Sequence, residues 1–166
     1  MDEASEMGAI NSQGQYEKVL GYIETAKAEG AKLLAGGERP KGPEFKRGFW
    51  LRPTLFGDVK PGMCIAQEEI FGPVVTLQAF DTEDEAIAAA NNTEYGLVAY
   101  FYTRDIDRAM RVSAKLDTGM VGVNRGVISD AAAPFGGIKQ SGLGREGSKY
   151  GIEEFVEIKY LCMGGI

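Results

Sequence analysis

The sequence predicts an α/β fold built on parallel strands, and three observations carry that expectation. From Val74 onward, apolar strand-like runs alternate with helical runs. The helices announce their starts with capping residues. Glycine and proline punctuate the joins between elements. Residues 74–80, 97–102 and 120–123 supply the strands. The middle run, Leu97-Val98-Ala99-Tyr100-Phe101-Tyr102, is apolar on both faces, as a buried parallel strand is. Helical crossovers between successive strands imply parallel pairing with right-handed connections. The first crossover opens on a capping box, Thr82-Glu83-Asp84-Glu85, and runs to about Asn92. The second covers residues 105–115, with Ile106, Ala109 and Met110 on one face.

The rest of the chain follows in order. Residues 1–11 are small and polar and are expected to be loose. Ser12-Gln13-Gly14-Gln15 reads as another capping box, with Ser12 as N-cap and Gln15 reaching back. Tyr16, Val19, Leu20, Ile23 and Ala26 follow at helical spacing, and Gly30 ends that helix as a left-handed cap. Residues 32–35 form a short strand, Gly36-Gly37 a turn, and residues 38–48 a surface loop. Residues 49–56 are extended, and Pro53 points to an edge position in the sheet. In Glu68-Glu69-Ile70-Phe71-Gly72-Pro73-Val74, Gly72-Pro73 can neither continue a helix nor sit mid-ladder. That string is therefore a shaped turn, able to present a carboxylate and a ring at the carboxyl edge of a sheet, where open α/β sheets bind ligands. Residues 126–147 are glycine-rich and irregular, and residues 148–153 read as a short helix. Residues 155–163 alternate as a strand whose partner would be another segment or subunit. No internal repeat and no interdomain linker stands out.

Composition excludes several classes of function. The 166 residues are 44% hydrophobic and 25% charged, as in an ordinary soluble globular protein. Net charge is -6 without a basic tract, which argues against nucleic acid and anionic membrane as partners. No apolar run approaches the ~20 residues that span a bilayer. The acidic start Met1-Asp2-Glu3 is unlike a signal peptide, so a cytoplasmic setting is expected. The sequon Asn91-Asn92-Thr93 is then a chance match. Two cysteines, Cys64 and Cys162, are too few for a disulfide framework. With no histidine, Ser-His-Asp and Cys-His catalysis are excluded within the chain, and no metal site is expected. Gly142-Leu143-Gly144-Arg145-Glu146-Gly147 matches the dinucleotide fingerprint, but no βαβ unit surrounds it. Its glycines are read as allowing tight turns.

The string from Glu68 to Val74 has company in Ala133-Pro134-Phe135-Gly136-Gly137-Ile138-Lys139-Gln140-Ser141-Gly142-Leu143-Gly144-Arg145-Glu146. Together the two segments resemble the aldehyde dehydrogenase superfamily, and within it the succinate-semialdehyde dehydrogenases, over essentially the whole chain. The resemblance implies the C-terminal part of the catalytic domain: residues 1–154 as a partial catalytic domain and residues 155–166 as an oligomerisation strand of a homo-oligomer. It implies a small-molecule semialdehyde as substrate, oxidised to the acid with NAD or NADP. In such enzymes a thiolate adds to the aldehyde, hydride passes to the nicotinamide, and a glutamate-activated water releases the acid. The segments bearing that cysteine and glutamate precede everything matched here. No catalytic residue is therefore assigned, and the isolated chain is expected to be inactive. The alternative is a non-catalytic protein that joins subunits.

The resemblance also assigns roles to individual positions. Glu69 is placed on the ribose hydroxyls of the nicotinamide nucleotide, with Phe71 packed nearby and Leu97 at the nicotinamide end. A carboxylate accepts two hydroxyl donors well, and a ring fixes the sugar in position. Phe135 lines the aldehyde pocket, and Ser129 binds the substrate's distal carboxylate, with Arg125 close in sequence. Arg145 and Glu157 resemble a structural ion pair near a subunit contact. Cys64 does not match the nucleophile: it lies just before Glu69, with no Lys, Arg or His close in sequence to activate it. Cys162 is read as a packed thiol.

Overall fold

The structure, a computed structural model, describes residues 3–165. Met1 and Asp2, part of the N-terminal stretch expected to be loose, and Ile166 lie outside the described residues. The chain divides into two compact units, Met1–Asp81 and Thr82–Ile166, a boundary the sequence did not mark with a linker. Among the described residues no helix is long and apolar enough to cross a membrane.

In the first unit, α1 (Gln13–Ala28) starts where Ser12 accepts a hydrogen bond from the Gln15 amide at 3.3 Å. The Gln15 side chain does not close the expected box. Its Nε2 donates instead to the carbonyls of Ile70 and Phe71, more than fifty residues away. The helix ends as expected: Gly30 has φ +91°, which frees the Ala31 amide to reach back to Ala26 O at 2.9 Å. Three strands follow, β1 (Lys32–Ala35), β2 (Thr54–Gly57) and β3 (Val74–Thr76). β1 pairs antiparallel with β2, and β2 pairs parallel with β3. β2 is therefore central, contrary to the edge position read from Pro53. The proline stands one residue before the ladder, so its missing N–H costs no pairing. β3 is shorter than residues 74–80, and a helical turn the sequence did not announce, α2 (Cys64–Gln67), precedes it. The core joins α1 to the sheet through Val19, Ile23, Ala26 and Phe56, all fully buried. The buried hydroxyl of Thr54 accepts from Gly37 N and donates to Arg52 O, both at 2.9 Å, so its burial leaves nothing unpaired.

The second unit opens with both halves of the Thr82–Glu85 capping box in place, starting α3 (Glu83–Asn91). It continues through β4 (Tyr95–Gly96), β5 (Val98–Phe101), α4 (Ile106–Lys115), β6 (Met120–Val123) and β7 (Ile138–Lys139). β5 and β6 pair parallel across α4, as expected, and β4 pairs antiparallel with β7. The α/β class holds, but as separate small sheets, with β3 paired to β2 and β5 to β6. Asp105 caps α4 by accepting from the Asp107 and Arg108 amides. The expected inward face of α4 is corrected: Ile106 and Met110 are exposed, while Val112 is buried. Ala109, Val112, Ser113 and Leu116, three to four residues apart, form the covered stripe instead. A 3-10 turn at Gly151–Phe155 replaces the helix expected over residues 148–153. Residues 156–165 form no ladder among the described residues, and Ile158, Tyr160 and Leu161 are exposed.

One carboxylate ties α3 to α4. Glu83 accepts from Arg108 Nε at 3.0 Å, and from Arg111 Nε and Nη2 at 2.8 and 2.9 Å. The Arg111 hydrogen bond, ahead of that from Arg108, pulls its pKa down to about 2 against an ordinary 4.5. A carboxyl group with a depressed folded-state pKa contributes above its unfolded value and loses that contribution as pH falls toward the folded one. The α3–α4 tie is accordingly expected to hold at pH 4.5 and loosen as pH drops toward 2. Carboxyl-carbon NMR checks this. An ordinary midpoint for Glu83 would refute it, and Arg111→Ala should move the midpoint back up.

Candidate functional site

In the first unit the candidate residues lie on the turn between α2 and β3. Glu68 and Glu69 are adjacent acids with different surroundings. The Glu68 carboxylate accepts from Tyr22 Oη at 2.8 Å and from the Cys64 thiol at 3.4 Å. The Glu69 carboxylate is exposed and has no hydrogen bond or ion pair among the described residues; only its carbonyl is engaged, by Lys18 Nζ at 3.3 Å. Two residues on, Phe71 has φ +54° and is 76% exposed. A bulky residue in the left-handed region is uncommon and needs outside support. Gln15 Nε2 gives that support, at 2.8 Å to Phe71 O and 3.1 Å to Ile70 O. Gly72 is required by α1, since a Cβ there would lie 2.5 Å from a Val19 methyl. The turn thus presents one unengaged carboxylate and one bare ring, an acceptor and an apolar face that fit a vicinal diol and the sugar that carries it.

Cys64 behaves as its sequence context implied. Partial burial raises its pKa first, followed by the hydrogen bond to the Glu68 carboxylate and the negative charges of Glu68 and Glu29. Nothing there stabilises a thiolate. Cys162 is exposed, not packed as expected.

In the second unit two clefts share Phe135 as a wall. One, about 440 Å³, is lined by Leu97, Phe135, Gly137, Arg145 and Glu154 among others. The other, about 370 Å³, is lined by Ser129, Asp130, Ala131, Phe135, Glu146 and Gly147. The structure therefore brings Ser129 and Phe135 to one cleft and sets Leu97 in the other cleft that Phe135 lines. Arg125, nearby in sequence, is exposed and does not line the Ser129 cleft. Glu69 and Phe71 belong to the first unit.

The loop carrying Phe135 is held by backbone. Phe135 and Glu146 exchange two N–H···O bonds of 2.8 Å. Gly119 lies so close beneath that a Cβ would collide with the Gly136 carbonyl. Arg145 Nη1 donates to Gly137 O at 2.8 Å and Gly144 O at 2.6 Å. Among the described residues Arg145 forms no ion pair with Glu157; the nearby acid is Glu154, which accepts from the Arg145 amide at 3.3 Å. Ser141 Oγ accepts from Gly96 N at 3.0 Å and so fixes the backbone beside Leu97. Sequence reasoning missed Ser141 and Gln15 as supports. Gln15 stood at a capping position that explained it locally, and Ser141 lay in a glycine-rich run without periodicity. Among the described residues no group of His, Cys, Asp or Glu is arranged to hold a metal ion.

The sequence signature of the aldehyde dehydrogenase family matches residues 1–161. The chain belongs to the aldehyde dehydrogenase family. It is 48% identical to the succinate semialdehyde dehydrogenase of Acinetobacter baylyi, with 100% of this chain and 34% of that enzyme aligned. It is 49% identical to a 3-sulfolactaldehyde dehydrogenase of Pseudomonas putida, over 96% of this chain and 32% of that enzyme. The betaine aldehyde dehydrogenase of Staphylococcus aureus in complex with NAD+ superposes with a TM-score of 0.91 at 44% identity, covering 93% of this chain and 31% of that one. The chain spans about a third of the length of the relatives it matches. Within an aldehyde dehydrogenase fold, the Glu69 turn and the Phe135 clefts are the features with chemistry to offer.

The thiol environments give a direct test. With limiting iodoacetamide near pH 8, Cys162 should be alkylated well before Cys64, read by peptide mass spectrometry. Preferential labelling of Cys64 would mean that its surroundings activate it after all.

Proposed function

We propose that this chain forms the C-terminal portion of an NAD(P)-dependent semialdehyde dehydrogenase, acting on succinic semialdehyde or a similar aldehyde that carries an acid group. The observation that carries the reading is the cleft that joins the Ser129 hydroxyl to the Phe135 ring. A hydroxyl donor suits a distal carboxylate, and a ring wall suits the apolar link to the aldehyde. The names of two relatives, succinate semialdehyde and 3-sulfolactaldehyde dehydrogenase, also describe aldehydes with an anionic far end. The unengaged Glu69 carboxylate would accept the ribose hydroxyls of the dinucleotide, with Phe71 against the sugar and Leu97 at the nicotinamide end. The bound dinucleotide supplies the hydride acceptor; this chain's residues bind and orient.

On this reading the chain contributes no nucleophile, because Cys64 is a half-buried thiol facing carboxylates. It works in a cytoplasmic homo-oligomer, with residues 155–166 as the segment that pairs with a second subunit. The exposed apolar residues Phe155, Ile158, Tyr160 and Leu161 support that role. They are also what favours the second reading, a non-catalytic chain that joins subunits.

One experiment checks the Cys64 assignment, and a second separates the two readings. The purified 166-residue chain should not reduce NAD+ or NADP+ with succinic semialdehyde. Sustained turnover that Cys64→Ser abolishes would overturn the bystander assignment. A chimaera in which this chain replaces the matching part of the Acinetobacter baylyi enzyme should turn over, and a dead but folded chimaera would favour the structural reading. In the active chimaera, Ser129→Ala should raise KM for succinic semialdehyde roughly ten- to a hundredfold, the worth of a lost hydrogen bond to a charged group. An uncharged aliphatic aldehyde should be nearly unaffected. Equal losses for both substrates would remove Ser129 from carboxylate recognition.

A further inference from the structure

Gln15 stands out on this surface because it makes neither of the contacts its position offers. At the third residue of α1 its amide was free to reach back to the Ser12 backbone or to solvent. Both of its strong hydrogen bonds go instead to consecutive carbonyls, Phe71 O at 2.8 Å and Ile70 O at 3.1 Å. Those carbonyls flank the only φ in the turn of residues 68–73 recorded as positive for a non-glycine residue. A ring-bearing residue has little intrinsic reason to adopt φ +54°. Left alone, Phe71 would relax toward extended or right-handed backbone, and ring and carboxylate would point elsewhere.

We infer that Gln15 is a positioning residue: its amide clamps Phe71 in the left-handed conformation and so holds the Phe71 ring and the Glu69 carboxylate in the arrangement that receives the dinucleotide's sugar. The geometry is that of a rigid support. Gln15 sits on the first turn of a sixteen-residue helix. One turn further along, Val19 is fully buried and packs against Gly72, the residue after Phe71. Lys18 adds a third tether at Glu69 O. Three side chains along α1 thus grip three successive parts of the turn, and Gln15 alone acts at the strained residue. The part of the inference that concerns the dinucleotide rests on the Glu69 and Phe71 roles proposed above; the clamp itself does not.

The test uses the 166-residue chain, 15N-labelled, as wild type and as Gln15→Leu, Gln15→Lys and Glu69→Gln. A positive φ brings the amide proton of Phe71 close to its own Hα, giving a strong intraresidue NOE. Gln15→Leu removes both donors and should weaken that NOE, with the thermal midpoint nearly unchanged because the core beneath is intact. Gln15→Lys keeps a donor on a long stem and should restore much of the signal. An undiminished Phe71 NOE in Gln15→Leu overturns the clamp. The same substitutions in the chimaera with the Acinetobacter baylyi enzyme, titrated with NAD+, examine its purpose. The chimaera with the wild-type segment should bind NAD+, and Gln15→Leu should need roughly tenfold more of it, because only the clamped fraction binds. Equal responses in wild type and Gln15→Leu overturn the positioning role even if the clamp is real. A response in wild type that survives Glu69→Gln undiminished would instead remove the Glu69 role while leaving the clamp standing.

Discussion

Everything in the first unit depends on one apolar contact, that of α1 against the face of the three-stranded sheet. Val19, Ile23, Ala26 and Phe56 retain no exposed surface. A buried aliphatic or aromatic side chain contributes about 1.5–3 kcal/mol, so this small group outweighs any polar contact nearby. The polar geometry of the site is a consequence of that docking. Gln15 and Lys18 reach the turn only because Val19, on the same helical stripe, is pressed against Gly72. Hydrophobic burial sets the distance, and hydrogen bonds then choose the backbone conformation.

Much of this was legible in the sequence. Thr82 and Ser12 marked helix starts, and Gly30 marked an end, because capping is local chemistry. The parallel β5–α4–β6 unit followed from apolar runs flanking a helical period. The failures share a cause: they concern what an element faces, which neighbours decide. Pro53 signalled an edge, but the ladder begins one residue later and β2 lies in the middle of its sheet. Ile106 and Met110 carry the apolar character of α4, yet the stripe through Val112 is the one that is covered. The pairing read for Arg145 was with Glu157, whereas its guanidinium binds two loop carbonyls. Motif resemblance named Glu69 and Phe71 but could not name Gln15, whose partners lie more than fifty residues away.

The two adjacent acids show how environment separates like groups. Glu68 and Glu69 are the same residue type one position apart. One accepts from Tyr22 and Cys64, and the carboxylate of the other has no hydrogen bond or ion pair among the described residues. Burial first, and then the hydrogen bond to the Glu68 carboxylate and the charges of Glu68 and Glu29, raise the Cys64 pKa, so the thiol holds its proton more tightly.

The backbone-on-backbone contact under the Phe135 loop bears on how such a site changes over generations. Gly119 and Gly136 meet with no space for even a methyl group, so no side chain can be tried at Gly119 without lifting the loop. Ser129 and Phe135, by contrast, project from that loop region into open clefts and can be exchanged with little cost to the frame beneath. Substitutions that reshape these clefts are thus accommodated at their walls and not at Gly119. The fold separates a tight contact of bare backbone from a replaceable surface, so the cleft walls can change one residue at a time while the frame beneath them stays put.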